Sequence, residues 1–376
     1  MGRAQDVLVL GGYGAFGARL CTLLSRTVGI TIHIAGRSLG AASAAAHRLR
    51  ERGARAAEVN RDAIDDVVAY VRANGITVVV DAVGPFHGRT YELALAIAGE
   101  GAHAIDIADD RSYVAGIRRL DAEARSRDAL IVTGASTVPA LSAAVVVHLM
   151  KELESLDAVE IGISPGQKSA RGLSTVRSVL SYCGKPIPAV RNGRPTTVRG
   201  WGDLSRHQYP TPVGGRWLSN VDLPDVALLP EQYPGIETVT VKAGLELSVL
   251  HLGLSMLSTL VARGAFASLL PASAALKTVA DWLYPFGSSS GAMHVTAHGT
   301  RGGTKVATHW SIVAERNDGP FIPVAAASVL TKRLLRCSGY APIAARGAMP
   351  CVGLLTLDEL MMELKGLAIR TVQHDG

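Results

Sequence analysis

The 376-residue chain is 48% hydrophobic and 19% charged, enough apolar material for two or three domains of about 150 residues, and this excludes a disordered protein. Its formal net charge of +6 is dispersed, with no basic stretch interleaved with aromatics. Phosphate-bearing small molecules explain that balance as well as nucleic acid would, and no nucleic-acid partner is expected.

The predicted elements begin with Val7–Leu10, a continuous apolar run of the kind buried on both faces of a sheet. Phe16, Leu20, Leu23 and Leu24 then recur at helical spacing. Further strands are predicted at Thr31–Ala35, Ala54–Val59, Thr77–Ala82, Ala102–Ile107 and Ala129–Thr133, with helical patterns between them. Such alternation predicts an α/β fold: a doubly wound parallel sheet of the Rossmann kind, with ligands at the carboxyl ends of its strands. From residue 136 the pattern changes. Val138–Leu153 reads as a helix, and strand-like segments follow at Ala158–Ile163, Thr238–Ala243, Met293–His298 and Lys305–Ala314. Arg191-Asn192-Gly193-Arg194 carries the Asn-Gly hairpin signal, and residues 200–235 read as an ordered loop layer. The expected organisation is a Rossmann domain over residues 1–135, completed by C-terminal helices from residues 325–376, and an α+β substrate or dimerisation domain over residues 136–324.

Val249–Val261 is an apolar run of about 13 residues, short of the roughly 20 that span a bilayer. A buried helix or a homodimer interface is its main reading, and contact with a membrane surface the lesser one. Four cysteines, Cys21, Cys183, Cys337 and Cys351, form no C-x-x-C pair, and Cys21 is expected to be a buried thiol. Met1–Asp6 lacks the order of a signal peptide. A reducing, cytoplasmic location is therefore expected.

Gly11-Gly12-Tyr13-Gly14-Ala15-Phe16-Gly17 contains G-x-G-x-x-G between a predicted strand and a predicted helix, the context that gives the pattern weight. Gly12 permits the tight turn, Gly14 lets a pyrophosphate reach the backbone, and Gly17 lets the helix pack closely. Tyr13, Ala15 and Phe16 supply the amides between them. The second strand ends Ala35-Gly36-Arg37-Ser38 with no carboxylate for a ribose hydroxyl. Arg37 and Ser38 suit a 2′-phosphate instead, so the expected cofactor is NADP. At the end of the fourth strand, Val83-Gly84-Pro85-Phe86 keeps the backbone thin where a nicotinamide ribose would lie.

Together, GGYGAFG (Gly11–Gly17), AGRS (Ala35–Ser38), AVGPF (Ala82–Phe86), HAIDIADD (His103–Asp110) and TGASTVPALS (Thr133–Ser142) resemble the saccharopine dehydrogenase-like family of NADP-binding oxidoreductases. DGPFIPVAAA (Asp318–Ala327) looks like its bacterial branch. The resemblance covers the first 145 residues well and the rest more loosely. It implies a Rossmann domain with an inserted substrate or dimerisation domain, and hydride transfer, in the named enzymes between NADPH and an imine. It does not carry the substrate across.

His87 follows the Gly-Pro-Phe turn and is the first choice of proton donor, weighed against an ordinary surface histidine. Asp106, Asp109 and Asp110 cluster after the fifth strand, where Asp109 and Asp110 are catalytic candidates and Asp110 reads equally well as a helix N-cap. Ser136, with Thr137, could touch nicotinamide or substrate. In the second domain, Lys168 and Arg171 could clamp a carboxylate or phosphate, while Trp201, Arg216 and Trp217 could line the pocket or simply pack loops. His294, His298 and, roughly opposite His294, His309 raise a metal site, which the absence of a carboxylate or cysteine disfavours, so no metal is expected. The leading function is an NADP(H)-dependent oxidoreductase acting on a C=N or C=O bond of a small molecule. The alternatives are an enoyl (C=C) reductase on a lipid-like substrate and an NADP-binding scaffold without turnover.

Overall fold

The run Val7–Leu10 forms the buried part of strand β1 (Gln5–Leu10). In the computed structural model, which describes residues 5–169 and 172–375, five more strands follow: β2 (Ile30–Gly36), β3 (Ala54–Glu58), β4 (Val78–Asp81), β5 (His103–Asp106) and β6 (Leu130–Thr133). With Gly347–Pro350 they make a seven-stranded sheet in the order Gly347–Pro350, β6, β5, β4, β1, β2, β3. Every pairing is parallel. The strand order reverses between β1 and β4, so the loops leaving these two strands diverge and open a crevice at their carboxyl ends. This is the doubly wound Rossmann arrangement. Helices α1 (Gly17–Leu24), α2 (Leu39–Arg48) and α3 (Ile64–Asn74) supply the first crossovers.

The chain divides into two compact units, Met1–Leu141 with Pro320–Leu364, and Ser142–Gly319 with Lys365–Gly376. In the first, helix Ile322–Leu334 packs on α1. It buries a charged pair: Lys332 Nζ lies 2.7 Å from Glu363 Oε1. Ser328 Oγ donates to the same carboxylate, and Tyr340 OH donates to Oε2 at 2.8 Å. The C-terminal residues are not all helical. Ile369–Asp375 is a strand that pairs with the second unit's sheet.

That second sheet is mixed. Its strands are β7 (Ala158–Ser164), β8 (Pro186–Arg191), β9 (Arg194–Arg199), β10 (Ser205–Tyr209), β11 (Gly214–Asn220), β12 (Thr238–Ala243), β13 (Gly291–Arg301) and β14 (Thr304–Ala314), closed at the far edge by Ile369–Asp375. Asn192 and Gly193 join β8 to β9 with φ of 51° and 70°, both in the left-handed region that a two-residue type I′ turn requires. One face is apolar, with Ile161, Val295, Trp310 and Ile312 buried. The other carries Glu160, Thr296, His309 and His374 in one cross-strand row.

Three expectations need correction. Residues 200–235 are not a loop layer: they hold β10, β11 and the helix Asp225–Gln232, whose short polar-rich strands have too little alternation to announce themselves. Val138–Leu153 is not one helix. A wider turn at Thr137–Leu141 and a short 3₁₀ turn at Met150–Glu152 flank Ser142–Leu149, because Pro139 offers no amide to the helical ladder. Finally, His309 faces Thr296 and His294 faces Ser311, two residues from the expected pairing, because Gly302 and Gly303 close the hairpin as a two-residue turn between Arg301 and Thr304. No helix among the described residues is long and apolar enough to cross a membrane.

Candidate cofactor and active site

The turn after β1 is built on absent side chains. A Cβ at Gly17 would stand 2.2 Å from the carbonyl oxygen of Gly11, and one at Gly12 would stand 3.0 Å from that of Val9. A Cβ at Gly14 would meet only Gly11 O, at 3.1 Å. Phe16 precedes α1 and offers no side-chain cap. Ala18, Arg19 and Leu20 already donate to the carbonyls of Gly14 and Phe16, so the amides left for an anion are those just ahead of them, at Ala15, Phe16 and Gly17, at the positive end of the helix dipole. Beneath Gly12, Cys21 is fully buried, and burial pushes its thiol up to about 12.

The end of β2 is tied to this turn by a contact that sequence reasoning missed. Tyr13 lies over Gly36, where a Cβ would come within 2.4 Å of its ring. Its hydroxyl accepts from Ser38 N at 3.2 Å. Ser38 Oγ caps α2 by accepting from Ala41 N, and Arg37 beside it is exposed. The one signal for the brace is an aromatic residue inside a glycine turn matched to a glycine at a strand end.

At the end of β4, Asp81 Oδ1 accepts from Val83 N at 2.9 Å and Oδ2 from Arg61 Nε at 2.7 Å. Burial raises this carboxyl against the pull of Arg61. Arg89 Nε donates to Pro85 O at 2.6 Å and fastens the Gly84–Pro85 turn. Gly84 and Pro85 are exposed and Val83 is half-buried, whereas Phe86 points inward against the Tyr113 ring at 5.6 Å.

His87, exposed, places Nδ1 2.9 Å from Asp110 Oδ2. The other oxygen of Asp110 accepts from Tyr113 N at 2.8 Å and caps the helix Arg111–Gly116. Asp110 therefore serves as N-cap and as histidine partner together, and Asp109 beside it is exposed. Asp106 is buried. Its Oδ1 accepts from Ala108 N, Thr133 Oγ1 and Gly134 N at 2.8–2.9 Å, and burial pushes its carboxyl up to about 7 despite those donors. The turn it holds carries Ser136, itself buried.

The second unit treats its candidates differently. Arg216 is buried and its charge is met by Glu246, with Nη2 3.1 Å from Oε1 and Nη1 donating to the Glu246 carbonyl. Glu246 also receives Gln167 N, Ser288 N and Ser288 Oγ, while Lys168 N donates to Ser288 O. Glu246 is thus the hub that sequence reasoning missed. Trp201 is buried with its ring 5.1 Å from that of His251. Trp217 is half-buried beneath Arg206. Arg171 lies outside the described residues. Among the described residues no group of three or more His, Cys, Asp or Glu could hold a metal ion.

Residues 7–132 match the family model for the saccharopine dehydrogenase NADP binding domain. No curated protein matches the sequence. Among solved structures, the apo histidine-tagged saccharopine dehydrogenase (L-Glu forming) from Saccharomyces cerevisiae is 14% identical with a TM-score of 0.68, over 98% of this chain and 100% of that one. GenD2 from gentamicin A biosynthesis, in complex with NAD, is 14% identical with a TM-score of 0.44, over 100% and 98%. Residues 7–132 are accordingly similar to an NADP-binding domain of the saccharopine dehydrogenase type, in a chain whose fold is like that of the yeast enzyme.

Proposed function

We propose that this chain is an NADP(H)-dependent oxidoreductase that transfers hydride to a C=N or C=O bond of a small metabolite, in the cytoplasm and as a homodimer. The observation that carries the reading is the uncapped glycine turn of Gly12, Tyr13, Gly14, Ala15, Phe16 and Gly17, whose Gly12 and Gly17 leave no room for a Cβ, braced by the Tyr13 hydroxyl to Ser38 beside the exposed Arg37. These residues fit a dinucleotide phosphate: bare amides suit the pyrophosphate and a guanidinium suits the adenosine-side phosphate. NADPH, when bound, supplies the hydride.

The remaining chemistry belongs to the protein. Val83, Gly84 and Pro85 form the thin turn beside which the nicotinamide end is assigned, with Phe86 anchoring it from below. His87 donates the proton. Its Nδ1–H stays on Asp110, which leaves Nε2 to release a proton to the nitrogen or oxygen that hydride addition makes basic. The product is an amine or an alcohol. Asp110 orients the ring, and Asp109 and Ser136 complete the polar edge. In the second unit, Lys168 and Arg171 are assigned to an anionic substrate group. Arg216, already paired, Trp201, already buried, and the half-buried Trp217 are assigned to the wall of the substrate pocket.

The test is NADPH oxidation against a panel of imines, keto acids with amines, and enoyl compounds. Turnover is expected with the first two, and His87→Gln should lower kcat by about 10²–10⁴-fold with NADPH affinity unchanged. Oxidation driven by enoyl compounds alone would move the enzyme to C=C chemistry.

A further inference from the structure

A surface helix normally turns its apolar residues to the core and its charges to water. The second unit departs from this rule over a long stretch. The helix Ser248–Ala262 turns His251, Ser255 and Ser258 inward and leaves Val249 and Met256 exposed. The segment that follows departs further. From Gly264 to Ser290 the only charged side chains are Lys277 and Asp281, and these neutralise one another at 2.6 Å. A stretch so poor in charge belongs in a core by composition. Here it lies at the surface. The helix Ser273–Trp282 buries only Ser273, and the helix Leu173–Tyr182, packed against it, buries only Leu180.

Short 3₁₀ turns at Leu270–Ala272 and Tyr284–Phe286 flank Ser273–Trp282 and pack on it, so the two helices and the two turns form one continuous layer. Pro285 has no amide to continue the helical ladder, and the chain leaves the helix there. The turn it makes carries an aromatic knob, with Trp282 74% and Phe286 76% exposed and Tyr284 about half exposed. At about 150–250 Å² per aromatic side chain, these residues present roughly 400 Å². That already matches the largest apolar patch of an ordinary soluble monomer. Leu173 and Val279, both exposed on the two helices, add to it.

Chemistry and charge select the occupant. Trp and Tyr join a broad apolar ring to one polar atom, and they partition to the boundary between lipid headgroups and acyl chains. Arg177 on Leu173–Tyr182 and Arg263, just ahead of Gly264, are both exposed, and neither is in an ion pair among the described residues. The one carboxylate of the two helices, Asp281, is already taken by Lys277. The layer is thus apolar with a net positive charge, which complements anionic phospholipid. A second copy fits it less well, since a two-fold contact would bring both copies' arginines together with no free carboxylate to receive them. We propose that this layer docks the protein on the surface of an anionic bilayer, with Trp282, Tyr284 and Phe286 entering the headgroup boundary and Arg177 and Arg263 meeting lipid phosphates. The contact is peripheral, and it is independent of the NADP chemistry.

Flotation of the full chain with lipid vesicles tests it. The wild type is expected to float with equimolar phosphatidylserine and phosphatidylcholine, less so as salt rises, and more weakly with phosphatidylcholine alone. Trp282→Ser combined with Phe286→Ser should lower binding to the mixed vesicles at least ~10-fold. Arg177→Gln combined with Arg263→Gln should remove the preference for anionic vesicles and leave the weaker binding to phosphatidylcholine. All four positions are exposed, so the melting temperature and NADPH affinity should stay unchanged. Brominated lipid should quench the tryptophan fluorescence of the wild type and not that of Trp282→Phe, which still floats. A wild type that floats with neither vesicle overturns the proposal, as does binding that survives the loss of Trp282 and Phe286. A dimer in solution that the same two changes dissociate, with no flotation, overturns it in favour of a second copy.

Discussion

The two sheets of this molecule solve the same burial problem in opposite ways. The first unit's strands are all parallel and its central ones mostly apolar, and most of the polar groups gather where the strands end. In the second unit, neighbouring residues of one strand part company: Val295 faces the apolar side while His294 and Thr296, buried as well, point to the other. A sheet wrapped on both faces can present chemistry only at its edge. The second sheet carries polar side chains on the face opposite Val295, buried at His294 and Thr296 and open to solvent at Glu160. The difference explains why the cofactor candidates fall in short runs at strand ends and the second unit's candidates are scattered.

Breaking the buried ion pair of the first unit should produce the largest effect. Glu363→Gln leaves Lys332 charged and without a counter-ion at about 1% exposure, its ammonium still donating to Tyr340 OH at 3.2 Å, and a loss of about 3–5 kcal/mol is expected in urea unfolding. A change below 1 kcal/mol would show that this interior is wetter than its packing implies.

Titration sharpens the comparison next, because Asp106 of the first unit and His251 of the second are shifted with opposite consequences for stability. Asp106 is raised to about 7 from an ordinary value near 4. Between those pH values the folded state holds the extra proton, so the contribution of this group to stability falls as pH rises from 4 to 7. His251 is lowered by burial to about 4 from 6.5. There the unfolded state holds the extra proton, and stability is lost as pH falls from 6.5 to 4. Each is bounded by about 3–4 kcal/mol. Asp106→Asn should flatten one slope and His251→Gln the other, read by unfolding at a series of pH values. Slopes of the same sign would remove the contrast.

The smallest expected effect is at the cofactor site. Arg37→Ala should weaken NADPH by roughly 10–100-fold in titration calorimetry, the worth of charge-assisted hydrogen bonds to one phosphate, and leave NADH nearly unchanged. Equal losses would mean that Arg37 does not read the 2′-phosphate.

Much of the first unit was legible in the residues themselves. A strand covered on both faces must be apolar without interruption, a phosphate turn must be free of side chains, and a Gly-Pro pair at a strand end must turn. Each constraint is local, so each leaves its mark within a few positions. The Tyr13–Ser38 brace and the hub at Glu246 left no such mark, since each joins residues that become neighbours only through the fold.

What the amino-acid order settled alone was therefore the parallel sheet, its glycine turn and the basic end of the second strand. Only the folded chain decided that His87 meets Asp110, that Arg216 is already spoken for, that His309 faces Thr296, and that the helix Ser248–Ala262 stands inside out. Hydropathy is a property of a segment, whereas a side chain's partner and the direction of a helix face depend on which distant segments arrive beside it.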